Sequence, residues 1–83
     1  MAAPDGRAAS DRDHIRRAYL AFRAGAGLRA EDVKRLLSAR GVEVSANRLR
    51  ELGRDSDRGL PITAEELWAL VSAWADERRG GPP

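Results

Sequence analysis

The chain has no cysteine, which removes disulfide scaffolds, thiolate zinc sites and cysteine nucleophiles together. Its single histidine, His14, stands beside Arg16 and Arg17 with no serine or cysteine partner at a recognisable spacing. That pattern reads as a surface histidine. No other catalytic constellation is visible, so the sequence predicts a protein that is not an enzyme. Aromatics are scarce and limited to Tyr19, Phe22, Trp68 and Trp74. In the C-terminal half the longest stretch without a charge is residues 67–75, well short of the roughly 20 residues a membrane span needs. The N-terminal segment has no apolar core of a secretory signal, and Asp5, Asp11 and Asp13 are unlike an organellar transit peptide. A cytoplasmic location is therefore expected, with no membrane partner.

What is present is one small domain of 83 residues, 42% of them hydrophobic. The 15 basic residues are all Arg except Lys34, against 13 acids. Arg suits bidentate contact with phosphate or carboxylate, but a GC-rich genome also replaces Lys codons with Arg codons. The charge shifts along the chain: six Arg and three acids in residues 1–30 give +3, and residues 61–83 give −2. A dedicated nucleic-acid binder carries a stronger bias.

The spacing of apolar residues predicts an all-α domain of four short helices over residues 10–79, with unstructured tails at 1–9 and 80–83. The first helix covers 11–23, with Ser10 as cap and Ile15, Tyr19 and Phe22 on one face. The second covers 30–40, buries Val33, Leu36 and Leu37, and stops at Gly41. The third covers 46–53 behind the cap Ser45, with Leu49 and Leu52 inward. The fourth covers 64–79, opened by the capping box Thr63 to Glu66 and lined by Leu67, Leu70, Val71 and Trp74. Trp68 falls off that stripe.

An internal repeat with an offset of 34 residues relates the two halves. Leu28, Glu31, Asp32, Val33, Leu36 and Leu37 match Ile62, Glu65, Glu66, Leu67, Leu70 and Val71 in type. Upstream, Ile15 matches Leu49. The chain therefore reads as a helix–loop–helix unit repeated once.

A duplicated helix–loop–helix of this kind resembles a paired EF-hand domain over roughly residues 14–75. The segment 15–22 is similar to an entering helix. The segment 55–67 is similar to a calcium loop, with Asp55 at position 1, Asp57 at 3, Ile62 at 8 and Glu66 at 12. The resemblance implies Asp55, Asp57 and Glu66 as metal-ligand candidates. It departs at Gly59, where an oxygen ligand belongs, at Leu60, where the turn glycine belongs, and in having Pro61 at position 7. The first loop is two residues short and has no carboxylate before Glu31. Calcium takes six to eight oxygens, so the expectation is a metal-free relative with no cofactor. A second stretch, Val33 to Ser45 together with the ending Arg78, Arg79, Gly80, is similar to the YehS-type bacterial family of unknown function.

Two functions follow as expectations. The first is a protein-interaction module, a subunit, adaptor or inhibitor, presenting an apolar groove with Tyr19, Phe22, Trp68 and Trp74 as anchors. Its partner would be another protein, and a homodimer fits as well. The alternative is a DNA-binding regulator built as a helix-turn-helix. In it Asn47, Arg48, Arg50 and Arg54 would face the groove, with Arg16 and Arg17 on the backbone.

Overall fold

The computed structural model describes residues 4–54 and 60–80, with side chains from residue 11 onward. All regular structure in it is helical: α1 (Pro4–Ala26), α2 (Ala30–Ala39), α3 (Ala46–Glu51) and α4 (Ala64–Arg78). The all-α class expected from the periodicity holds. None of these helices is long and apolar enough to cross a membrane.

Helix α1 is longer at both ends than its apolar pattern suggests. Pro4 opens it, and proline fits the first helical turn because its missing N–H would have no intrahelical partner there. The Arg7-Ala8-Ala9 run that follows has strong helix propensity, so the helix passes through Ser10 instead of starting at it. At the other end it absorbs Gly25 and stops at Ala26. Gly27 then takes φ of +67°, its amide donates to Ala24 O at 3.2 Å, and Leu28 N donates to Arg23 O at 2.9 Å. This is a Schellman ending. Helix α2 ends the same way: Gly41 has φ of +78°, and the amides of Gly41 and Val42 donate to Ser38 O and Leu37 O, both at 2.9 Å.

The N-termini follow the caps in the sequence. Ser45 Oγ accepts from Arg48 N at 3.1 Å and Thr63 Oγ1 from Glu66 N at 3.1 Å, while Glu66 Oε1 accepts from Thr63 N at 2.9 Å. Helix α2 has only half of such a box, with Asp32 Oδ2 accepting from Arg29 N at 2.9 Å.

Helix α4 is central and packs on both α2 and α1. Tyr19, Val33, Leu36, Leu37, Leu52, Ile62 and Leu70 are fully buried, with Val44, Ala69 and Ala73 nearly so. The face α4 turns to the core is thus Ala69, Leu70 and Ala73, a rotation from the expected stripe. Leu67, Val71 and Trp74 are only half-buried. The reason is steric: two alanines one turn apart let the axis of a neighbouring helix come close, and bulkier residues are moved to the flanks. Helix α3 stops at Glu51, two residues early. Leu52, just beyond it, is buried and accepts from Ile62 N at 2.9 Å, so this carbonyl serves the loop and not a further helical turn. Gly53 lies against α1, where an added Cβ would stand 2.9 Å from a Leu20 methyl.

Candidate functional site

Neither a metal cluster nor a buried polar residue offers chemistry among the described residues: no three His, Cys, Asp or Glu side chains gather, and no polar or charged residue is buried. Of the metal candidates, Asp55 and Asp57 lie outside the described residues. Glu66 is engaged by the Arg48 side chain and the Thr63 amide.

Arg48 and Glu66 form a two-donor ion pair. Arg48 meets Glu66 with two donors, Nε to Oε2 at 3.0 Å and Nη2 to Oε1, and the same guanidinium donates to the carbonyls of Leu60 and Pro61. Both side chains are largely covered, at 21% and 15% exposure. One arginine therefore ties α3 to the loop before α4 and to the first turn of α4. For the Glu66 carboxyl, burial is the largest single influence and works to raise its pKa. The hydrogen bonds from Arg48 and Thr63 and the Arg48 charge together outweigh it and hold the group below the ordinary carboxylate value.

This geometry bears on the DNA-facing residues. Arg48 points into the fold and not outward. Asn47 and Arg50 are exposed and bond to each other through Oδ1 and Nη2. Arg16 and Arg17 share Asp13 at 2.9 Å each, and the Arg16 hydrogen bond lowers the Asp13 pKa. Arg54 is exposed at the edge of the described segment. Elsewhere arginines serve as clamps: Arg35 reaches Glu77 at 2.5 Å and Arg40 reaches Asp76, both joining α2 to α4.

The four aromatics expected to line a groove divide into two groups. Tyr19 has no exposed surface, and its hydroxyl accepts from Arg23 Nη1 at 3.3 Å. Phe22 and Trp74 meet edge to face, with centroids 5.1 Å apart, and the Arg78 guanidinium covers the Trp74 ring at 5.0 Å. These three are committed to intramolecular packing because the first aromatic face of α1 is also its core face. The remaining one, Trp68, is 72% exposed. It stands in the second turn of α4 on its outer side, flanked by exposed Ala64 and Glu65 and by half-exposed Val71, Ser72 and Ala75. Helical phase alone located it. The Arg48–Glu66 clamp had no comparable signal, since 18 residues separate its partners.

A pocket of about 480 Å³ opens between the middle of α1 and the segment before α4, bordered by Arg12, Ile15, Arg48, Glu51 and residues 60–64. On its wall Arg48 and Glu51 stand 3.8 Å apart, and Arg12 adds a further positive charge.

Compared with protein-family models, curated proteins and solved structures, the chain matches none of them.

Proposed function

We propose that the chain is a non-catalytic module that works by binding a protein, with the outer face of α4 as its contact surface and Trp68 as the anchor. The observation that carries this reading is the exposure of Trp68, 72%, on the helix that packs on both α2 and α1. A tryptophan side chain covers 150–250 Å² and is the commonest hot-spot type at interfaces. Leaving it in water forgoes burial worth about 2 kcal/mol or more in a chain too small to spare it. Single exposed Leu or Ala residues need no such explanation. The DNA reading has less support, because Arg48 is held inside the fold and Arg16, Arg17 and Arg50 each have a partner on the chain.

The test is a photoreactive residue placed at 68 in the full chain, irradiated in a nuclease-treated lysate of the source cells, with a probe at Lys34 as control. Capture of one protein at 68 and not at 34 supports the reading. No specific product at 68, together with DNA binding that falls steeply with salt, overturns it in favour of the nucleic-acid alternative.

A further inference from the structure

The contact surface on α4 carries a charge pattern that is complementary to itself. Helix α4 has the acids Glu65 and Glu66 in its first turn, of which Glu65 is exposed, and the bases Arg78 and Arg79 at its end, with the apolar Trp68, Val71 and Ala75 and the small Ser72 between. Packing defines the free sector. Trp74 faces α1 through Phe22, and Asp76 and Glu77 face α2 through Arg40 and Arg35. The sector between these two sides holds Ala64, Glu65, Trp68, Val71, Ser72, Ala75 and, at the C-terminal cap, Arg79.

Turned antiparallel on a second copy about a two-fold axis between Val71 and Ser72, this sector meets itself in register to within one residue. Glu65 comes opposite Arg79 of the second copy, at both ends of the contact. Trp68 comes opposite Ala75 of the second copy, a large residue on a small one, and next to the axis Val71 and Ser72 each meet their own counterpart. The isologous arrangement uses each complementary pair twice. The two end charges are available for it. Glu65 is exposed and has no ion pair among the described residues. Arg79 is 78% exposed, and its nearest carboxylate is 3.8 Å away on Asp76, which already serves Arg40. Antiparallel pairing also sets the helix dipoles head to tail.

We infer that the partner seated on Trp68 is a second copy of this chain, joined through an antiparallel α4–α4 pair. The inference rests on the binding reading above and names its occupant. A helix of 15 residues is about 22 Å long, so a contact of this length is at the small end of stable interfaces. A dimer with a dissociation constant in the micromolar range is expected.

Sedimentation equilibrium of the full chain, from low micromolar to near-millimolar concentration, reads the inference directly. The wild type should pass from monomer to dimer. Trp68→Ala should raise the dissociation constant about tenfold or more, with an unchanged far-UV spectrum because Trp68 packs on nothing it must support. Glu65→Arg should weaken the dimer, and Glu65→Arg combined with Arg79→Glu should restore it. The chain lacks cysteine, so Ser72→Cys gives a clean second readout: it should form a disulfide-linked dimer under mild oxidation, while Ala39→Cys on α2 should not. A wild type that stays monomeric throughout overturns the inference, and so does a dimer indifferent to Trp68→Ala and to Glu65→Arg. The photoprobe at 68 separates the two levels. A monomeric chain that captures a different protein there loses the self-pairing and keeps the binding module. A monomeric chain that captures nothing there loses both.

Discussion

Helices α2 and α4 stand 34 residues apart in the same sequence repeat, and each buries a leucine at the matched position, Leu36 in one and Leu70 in the other. Their outer sides differ. The position that holds exposed Lys34 on α2 holds exposed Trp68 on α4. A lysine at such a place is ordinary, since its charge stays hydrated. A tryptophan there has a cost with no compensating contact inside the molecule. The helix whose buried side includes two alanines, Ala69 and Ala73, is also the one whose outer side carries the large apolar residue. Bulk has been moved from the inside of α4 to its surface. The comparison teaches that α2 and α4 share one buried leucine position and differ in what their outer sides present.

The most severe test of that comparison is on the shared inner face. Leu36→Ala and Leu70→Ala each remove a fully buried side chain and should each cost about 3 kcal/mol. A domain of this size has only a few kcal/mol to lose, so both variants should be largely unfolded at room temperature by far-UV circular dichroism. If one unfolds and the other does not, the two faces are not equivalent.

Next in size is the clamp, which only the second unit has. His14 and Asp32 occupy the places matched to Arg48 and Glu66, and no bond joins them. Arg48→Ala should cost roughly 2 kcal/mol in urea denaturation, the range for hydrogen bonds to a charged group reduced by partial exposure. Asp32→Asn should cost clearly less, because it disturbs only the half cap on Arg29 N. The clamp also carries a pH signature. Glu66 has a folded pKa below its unfolded value, so the native state binds this proton less readily than the unfolded chain does. Its contribution is fully present above about pH 4.5, the ordinary value for a free glutamate, and is lost as pH falls through the folded pKa. Glu66→Gln should flatten that part of the acid limb.

A smaller difference separates the two caps. Thr63→Ala should cost about 1 kcal/mol, since the Thr63 hydroxyl receives Glu66 N. Arg29→Ala, at the matched place, should leave the urea midpoint unchanged, because its side chain has only a 3.9 Å contact with exposed Glu31. Equal losses would mean that the backbone half of the box, present in both, does the capping.

The architecture was legible wherever the signal was local. Caps at Ser45 and Thr63, the stop at Gly41 and the buried set Val33, Leu36, Leu37 and Leu70 all depend on residues within one turn of each other. The start of α1 was obscured because Ser10 is a good cap, and nothing local says that an alanine-rich stretch with proline ahead of it outcompetes it. The rotation of α4 was obscured because alanine scores neither as core nor as surface until a neighbouring helix is known. The clamp is tertiary: an exposed-phase arginine on α3 finds a carboxylate only once the loop folds back. Of the candidate aromatics, phase identified Trp68 correctly as lying outside the core stripe. It could not tell that Tyr19, Phe22 and Trp74 would be used up by internal packing, since that depends on which helices meet.

The smallest effect on stability is expected from the exchange that addresses the outer faces. Trp68→Lys gives α4 the residue that α2 carries at the same place. Neither side chain supports the core, so the urea midpoint should move by no more than about 0.5 kcal/mol in either direction. Removing an exposed aromatic can even raise it slightly, through better solvation of the native surface. The consequence should appear in association instead, as loss of the complex that forms through Trp68 at unchanged helicity. The reverse change, Lys34→Trp, places the same anchor on α2, where fully buried Leu37 stands in the place of half-exposed Val71 and Gly41, beyond the end of the helix, in the place of Ala75. It should not create a second contact of comparable strength, because an anchor without an apolar surround is not sheltered from water. A Lys34→Trp, Trp68→Lys double variant that binds as well as the wild type would show that any exposed tryptophan suffices and that the face around residue 68 contributes nothing.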